Sequence, residues 1–412
     1  MDVINQRCCG LDVHKKTVVA CLRIMDPKGS VRSVVRTFGT ITAEVLALCD
    51  WLSEAKVTHV AMESTGVFWK PIWNILEGSF QVLLVNARHL KQVPGRKTDV
   101  KDCEWIAQLL QHGLLRGSFV PPREIRDLRD LTRQRVQLVS EKTRSVNRIH
   151  KVLEDANIKL ASVASDIMGV SGRDMLEALV DGQENPDQLA ELARRRLRGK
   201  IPALKLALHG RFTQHHRFML RMHLQHIKDL ESLIGQLEQR VEELTRPLSP
   251  QLELLQTIPT IKPTSAAALL AEIGPDMEQF PTSGHLASWA AMCPGNSESA
   301  GKRKTGKTGK GNRWLRRALA EPAWAATRTK DTYCQAQYRR LAPRRGKKRA
   351  LVAVGHTLLV AAYHILKNKV PYKDLGPEHF DRLQPDQLTR YHMKRLESLG
   401  HKVTLEPAEE AA

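Results

Sequence analysis

The chain has 412 residues, 42% of them hydrophobic, with 64 Lys and Arg against 44 Asp and Glu, a formal charge of +20. At roughly 100–200 residues per domain that length excludes a small stapled scaffold and predicts two or three domains with real cores, and the charge points to a polyanionic partner. Seven scattered cysteines without a C-x-x-C pair exclude a disulfide framework or zinc ribbon. With no run of about 18 apolar residues and no signal-peptide start, a soluble protein of the cytosol is expected.

From residue 7 to about 115, short apolar strands alternate with helices. Cys8–Asp12, Val18–Ile24 and Val31–Phe38 read as a strand meander turning at Pro27-Lys28-Gly29. Helical spacing over Ala43–Ala55, a buried strand Val57–Met62, a helix Val67–Leu76, a strand Phe80–Val85 and a helix Asp99–His112 complete an α/β layer with a mixed sheet. After Pro121-Pro122, Ile125, Leu128, Leu131, Leu138, Val146, Ile149 and Leu153 mark one long amphipathic helix. Ile227, Leu230, Ile234, Leu237, Val241 and Leu244 follow a coiled-coil seam that stops at Pro247. The seam suits an intramolecular helical hairpin and a dimer equally. The Arg-rich stretch 161–203 reads as a connecting or mobile region. Beyond Leu252 the pattern is a small, mostly helical unit, with helices over Thr264–Ile273, Leu286–Met292 and Trp314–Thr327. A polar tail past Pro371, ending in PAEEAA, is expected to fray at its end.

Two constellations carry chemistry. Asp12 closes the first strand, Glu63 closes the buried strand, and Asp99 and Asp102 stand three apart at the start of a helix, sharing a face. Each acid taken alone reads more readily as a turn residue or helix cap than as a ligand. The order strand-Asp, strand-Glu, helix Asp-x-x-Asp is more specific: four converging carboxylates need a compensating cation, and an all-oxygen donor set suits magnesium, a pair of ions serving phosphoryl transfer. His14, two residues past Asp12, reads as a structural histidine.

The second constellation, residues 293–319, reads CPGNSESAGKRKTGKTGKGNRWLRRAL. Its hydroxyls lie among glycines that let the backbone approach a phosphodiester and among Lys302, Arg303, Lys304, Lys307 and Lys310, which suit phosphate. Glu298 is the only local carboxylate, so an activating group for a serine has to come from elsewhere. Residues 301–350 carry 17 Lys or Arg against Glu321 and Asp331 alone. Trp314, Trp324, Tyr333 and Tyr338 are interleaved among them; both tryptophans are expected to pack in the core rather than to stack bases.

The set GLDVHKK, MESTG, KTDVKD and CPGNSESAGKRKTGKTGKGNRWLR resembles the DEDD-type insertion-sequence transposases of the IS-one-ten family, described as bridge-RNA-guided serine recombinases. The likeness covers about 7–115 and 252–365. It implies an α/β N-terminal RuvC-like (RNase H-type) domain over 1–120, a long helical or coiled-coil linker over 121–250 and a mostly α C-terminal transposase domain over 251–370; the coiled middle and the polar tail over 371–412 make the chain longer than compact members of the family. It implies Asp12, Glu63, Asp99 and Asp102 as the catalytic, magnesium-holding DEDD acids and Ser299 as nucleophile, with Ser297 the lesser candidate. Lys302, Arg303, Lys304, Lys307, Lys310, Arg313, Arg316 and Arg317 become the nucleic-acid contacts. The implied partners are double-stranded DNA at element ends and target, a structured noncoding bridge RNA, and copies of the chain itself in a tetramer. No membrane is implied, and the location is cytoplasmic and nucleoid-associated. Thr260 in IPTIKPTSAAALLAEIG stands where the family's hairpin usually has glycine, which puts that hairpin's phosphate contact in question. Two rival readings remain: a RuvC-like structure-selective nuclease that uses the acids alone, and a non-catalytic RNA- or DNA-binding protein.

Overall fold

The computed structural model describes the chain except residues 1, 27–28, 65, 87–89, 91–101, 296, 300, 306–307, 310, 384 and 406–412; for 297–299, 303–305 and 387 it describes the backbone alone. The chain divides into two compact units, Met1–Pro121 and Pro122–Ala412.

In the first unit β1 (Arg7–Val13), β2 (Thr17–Met25) and β3 (Val31–Gly39) form an antiparallel meander. α1 (Thr42–Glu54), β4 (His59–Glu63), α2 (Trp69–Leu76), β5 (Gln81–Val85) and α3 (Asp102–Gln111) follow. The five strands make one mixed sheet in the order β3-β2-β1-β4-β5, with β4 parallel to both β1 and β5. Period-2 alternation sorts the side chains to two faces. Cys9, Leu11, Val13, Val60 and Met62 join Val45, Leu48 and Leu52 of α1 and Ile72 and Leu76 of α2 in one core. Cys8, Ala61 and Val85 point the other way and pack with Ile106, Leu109 and Leu110 of α3. The strands and helices expected from the sequence are all present, their bounds shifted by two residues or fewer where described. The expected start of α3 at Asp99 lies outside the described residues, as do Pro27 and Lys28 of the expected turn.

The second unit opens with the 33-residue α4 (Arg123–Asp155), which packs along α9 (Gln214–Thr245). The pairs Arg135–Glu238, Lys142–Glu231 and Asp155–His216 fix the two helices as antiparallel. The hairpin reading of the seam is thus present within the chain: Ile227 and Leu230 are buried, while Ile234, Leu237, Val241 and Leu244 are half-buried.

The intervening stretch is folded, contrary to its reading as a connecting or mobile region. α5 (Leu160–Val163), α6 (Val170–Val180), α7 (Pro186–Glu191), a 3-10 turn over Arg195–Lys200 and α8 (Ile201–Ala207) form a compact knot at the tip of the hairpin. Its core joins Leu160, Ile167, Met175, Leu176, Leu189 and Leu204 to Ile149 and Leu153 of α4 and Leu220, Leu224 and Ile227 of α9. Met175, Leu176, Leu179 and Val180 do keep a helical interval, but the helices are short and set in a polar, Arg-rich background, and their apolar faces close a core against the two long helices.

Beyond α9, a 3-10 turn leads to α10 (Ser249–Gln256) and α11 (Pro263–Ile273), then α12 (Ser283–Trp289), a hairpin of β6 (Ser297–Ser299) and β7 (Lys302–Thr305), α13 (Arg313–Ala326), α14 (Tyr333–Arg345) and α15 (Lys347–Asn368). The turn between α10 and α11 closes with the Ile261 amide donating to the Ile258 carbonyl at 2.9 Å, and no residue in it takes a positive φ. Thr260 therefore fits without glycine's conformational freedom. α15 is long and apolar enough, by length and composition, to cross a membrane; half of that stretch is buried, against α12, α13 and α14 among others, so it serves as the central helix of this unit. The tail carries α16 (His379–Leu383) and α17 (Pro385–Ser398), and Phe380 stacks on Tyr333 with ring centroids 4.9 Å apart. The residues expected to fray, at 406–412, lie outside the described set.

Candidate functional site

The first candidate site forms where β1, β4 and α3 meet. Leu11 pairs with Met62 in parallel register, so Asp12 and Glu63, one residue further on, stand side by side at the carboxyl ends of neighbouring strands. Alternation puts both on the face that α3 covers. α3 runs antiparallel to β1: the Gln111 carbonyl accepts from the Ile4 and Asn5 amides, Cys8 lies against the Ala107 carbonyl, and Gly10 lies against Cys103. That direction carries the first residue of α3, Asp102, toward the Asp12 end. Gly10 makes the approach possible, since a Cβ there would fall 2.3 Å from the Cys103 carbonyl oxygen and 2.4 Å from the Ala107 nitrogen.

Asp12 is 22% exposed, and its Oδ2 lies 3.1 Å from Nε2 of His14, which is 58% exposed. His14, expected to be structural, is instead a solvent-facing partner of the first acid, held just past the strand by its amide donating to the Thr17 carbonyl at 2.9 Å. Burial pushes the Cys103 thiol up to about 12, and the negative charges of Glu104 and Asp12 push in the same direction. The field of Asp12 thus reaches the first turn of α3. Glu63 is half-buried. Asp99 lies outside the described residues. Among the described residues no group of three His, Cys, Asp or Glu side chains forms a ready metal cage. The donor chemistry of Asp12, Glu63 and Asp102 nonetheless fits a hard divalent cation: carboxylate oxygens only, gathered at one end of the sheet and open to water.

The second candidate site is the β6-β7 hairpin. The sequence suggested a glycine-rich loop in a mostly helical unit; the structure makes it a two-stranded antiparallel ribbon in which Ser299 pairs with Lys302 across a turn that contains Gly301 at φ +72°. Ser297, opposite Thr305, sits at a register shift, away from the turn. The side chains of Ser299, Arg303 and Lys304 lie outside the described set, as do Lys307 and Lys310; Lys302 is exposed.

The ribbon's neck is fixed. Gly311, at φ +48°, leaves 2.3 Å between an added Cβ and the Ala290 carbonyl oxygen, so the chain after β7 is pressed against the chain before β6. Asn312 then caps α13, its Oδ1 accepting from the Trp314 amide at 3.0 Å and the Leu315 amide at 3.1 Å. Its Nδ2 donates to Glu272 Oε2 at 2.6 Å.

Glu272, on α11, is 2% exposed and is the acid that sequence reasoning missed. Arg133 of α4 grips it with two hydrogen bonds of 2.7 and 2.8 Å, and Arg129 bonds the Ala271 and Glu272 carbonyls at 3.0 and 2.8 Å. Burial pulls Arg129 down to about 10, leaving it charged at neutral pH. A signal for this network was present: Glu272 is the only charged residue in an otherwise apolar and small-residue helix, PTSAAALLAEI, and a charge so placed needs partners.

The expected cation set divides. Arg313 lies over Trp314 at 4.6 Å and is exposed. Arg316 donates to the Gly309 carbonyl at 3.1 Å and Arg317 to Ser140 Oγ at 2.9 Å, so both brace the fold. The tryptophans, expected in the core, are not fully there. Trp314 is half-buried between Arg313 and Arg133, and Trp324 is 41% exposed under Arg328, because the core face of α13 is filled by Leu315, Leu319, Ala323 and Ala326.

Compared with known families, residues 9–158 match a DEDD-type IS110 model described as a transposase, and residues 252–339 match one described as a transposase of the IS116/IS110/IS902 family. The two spans together take in more than half of the chain. No curated protein matches it.

Proposed function

Because the chain belongs to the IS110 family of transposases, we propose that it excises and inserts a mobile DNA element through a covalent serine-DNA intermediate, with Ser299 as nucleophile. Asp12, Glu63, Asp99 and Asp102 are the residues that would hold magnesium, probed as a pair of ions. When bound, the metal neutralises charge on the phosphate and stabilises the attacking and leaving oxygens. This reading takes the first unit as a RuvC-like, RNase H-type domain, the α4-α9 hairpin with its knot as the linker, and 251–370 as the serine-bearing domain. A structured guide RNA, a tetramer and a cytoplasmic, nucleoid-associated location belong to the same proposal.

The observation that carries it is the mixed sheet's register, with Asp12 and Glu63 adjacent on the face where α3 begins. Support for the serine half is local. Ser299 lies beside the turn of a ribbon whose neck is immobilised by Gly311 and Asn312, and a nucleophile gains from such pre-organisation. In the reaction a bond forms between Ser299 Oγ and phosphorus as the bond from phosphorus to the leaving sugar oxygen breaks; the hydroxyl proton is lost and the leaving oxygen gains one. Attack by another strand's hydroxyl reverses the exchange and frees the serine. Exposed Lys302, with Arg303, Lys304, Lys307 and Lys310, supplies positive charge along the bound strand.

The test is to incubate the full chain with magnesium, its copurifying RNA and a suicide DNA substrate, and to look for protein-linked DNA. Adduct is expected from the native chain and from none of Ser299→Ala, Asp12→Ala and Asp102→Ala. Normal strand joining by Ser299→Ala overturns the serine step, and cutting without any adduct in the native chain favours the nuclease.

A further inference from the structure

The tip knot carries a charge imbalance that the proposed chemistry does not use. Between residues 192 and 228 there are ten Lys or Arg and no Asp or Glu. Four of these cations are matched by acids from α6, α7 and their connection: Arg194 with Asp174 at 2.7 Å, Lys205 with Asp187 at 2.8 Å, Arg217 with Glu184 at 2.6 Å and Lys228 with Glu177 at 2.9 Å. Arg195, Arg196 and Arg198 are exposed, and their guanidinium groups have no ion pair or hydrogen bond among the described residues. Asp174, Glu177, Glu184 and Asp187 are taken up by the four pairs just named.

These three arginines stand on a turn that is built. Buried Ser171 accepts the Arg194 amide at 2.9 Å, the Leu197 amide closes onto the Arg194 carbonyl at 3.1 Å, and Lys200 Nζ donates to the Val163 carbonyl at 3.1 Å. Leu197 packs inward on the knot's core, so the residues around it project outward. Arg195 holds φ +52°, a backbone conformation in which glycine would sit with less strain. A cation kept at a strained position, on an ordered turn and without a partner, is ready to meet an anion from outside with little ordering cost.

We propose that the 3-10 turn Arg195–Lys200 is a second nucleic-acid site, which grips the phosphate backbone of duplex DNA without reading its sequence. Three guanidinium groups within six residues match a line of phosphates. The turn holds no aromatic residue on which an unpaired base would stack, which favours a duplex over a single strand. The inference does not depend on the serine chemistry: it concerns how the hairpin's tip holds DNA, and it can fail or succeed separately.

The test compares the full chain with its Arg195→Gln/Arg196→Gln/Arg198→Gln variant, measuring affinity for random-sequence duplex DNA from low to high salt. Each phosphate contact contributes a slope of about 0.9 in log affinity against log salt, so the slope is expected to fall by about 2–3. The Arg→Lys triple should keep it, and thermal unfolding should be unchanged in both. Should the Gln triple fold poorly, arginine-selective modification of the native chain replaces it: duplex DNA must protect Arg195, Arg196 and Arg198. An unchanged slope, an absence of protection, or an effect confined to an RNA hairpin with none on duplex DNA overturns the proposal.

Discussion

Gly10→Ala tests whether the first candidate site depends on a close backbone approach. The added methyl would stand 2.3 Å from the Cys103 oxygen, 2.4 Å from the Ala107 nitrogen and 2.9 Å from the Ala107 Cα, all backbone atoms of α3 that no rotamer change can move. Restoring an ordinary contact requires α3 to withdraw by roughly 1 Å, and overpacking of this kind costs about 1–3 kcal/mol. The withdrawal opens the small cluster of Cys21, Cys103 and Ala107 and carries Asp102 away from Asp12 and Glu63. Hydrogen exchange of the full chain reads this locally: amides of β1 and α3 should exchange about 5- to 150-fold faster, with the second unit unaffected. A displacement of about 1 Å at a reacting centre is worth on the order of 100-fold in rate, so strand cutting should fall by a similar factor. Gly78→Ala is the control, since its added methyl meets nothing within 4 Å. If Gly10→Ala exchanges and cuts like the native chain, the account of α3 docking on β1, and of Asp102 arriving by it, is wrong.

Two further outcomes follow from the second unit. Glu272→Ala strands Arg129 and Arg133 and releases Asn312, and removing one partner of a buried pair costs about 3–5 kcal/mol; a double-mutant cycle with Arg133→Ala should show strong coupling in denaturation midpoints, and additive effects would contradict the network. The Arg173 hydrogen bond, aided by Lys142, holds the Glu231 carboxyl down at about 2 against an ordinary 4.5, with partial burial opposing. Because the folded value is depressed, this contribution is complete above about pH 4.5 and is lost as pH falls through 2. Glu231→Gln should therefore flatten the acid limb of the hairpin's unfolding profile, and an unaltered profile would show that the bridges to Arg173 and Lys142 add nothing.

Local sequence determined a good deal of this protein. The short apolar runs around Leu11 and Met62, the helical spacing in α4 and the heptads of α9 are short-range patterns, each imposed by which residues must leave water, and the strands and helices form where those patterns lie. The order of the acids and the glycine-rich basic segment were equally legible, because residue type and neighbourhood carry that chemistry. Tertiary structure alone decided what depends on distant partners. That α4 lies antiparallel along the α9 seam is a fact with no local trace. The knot over 160–208 is cut into short helices whose apolar faces become a core against α4 and α9, at Ile149 and Ile227 among others. Glu272 met Arg133 and Asn312 across 139 and 40 residues of chain, and the neck of the Ser299 ribbon is fixed by that meeting and by Gly311 against Ala290. A buried charge announces that it needs partners, but only the packed chain selects which ones, since the choice depends on which backbones approach closely enough to exclude water.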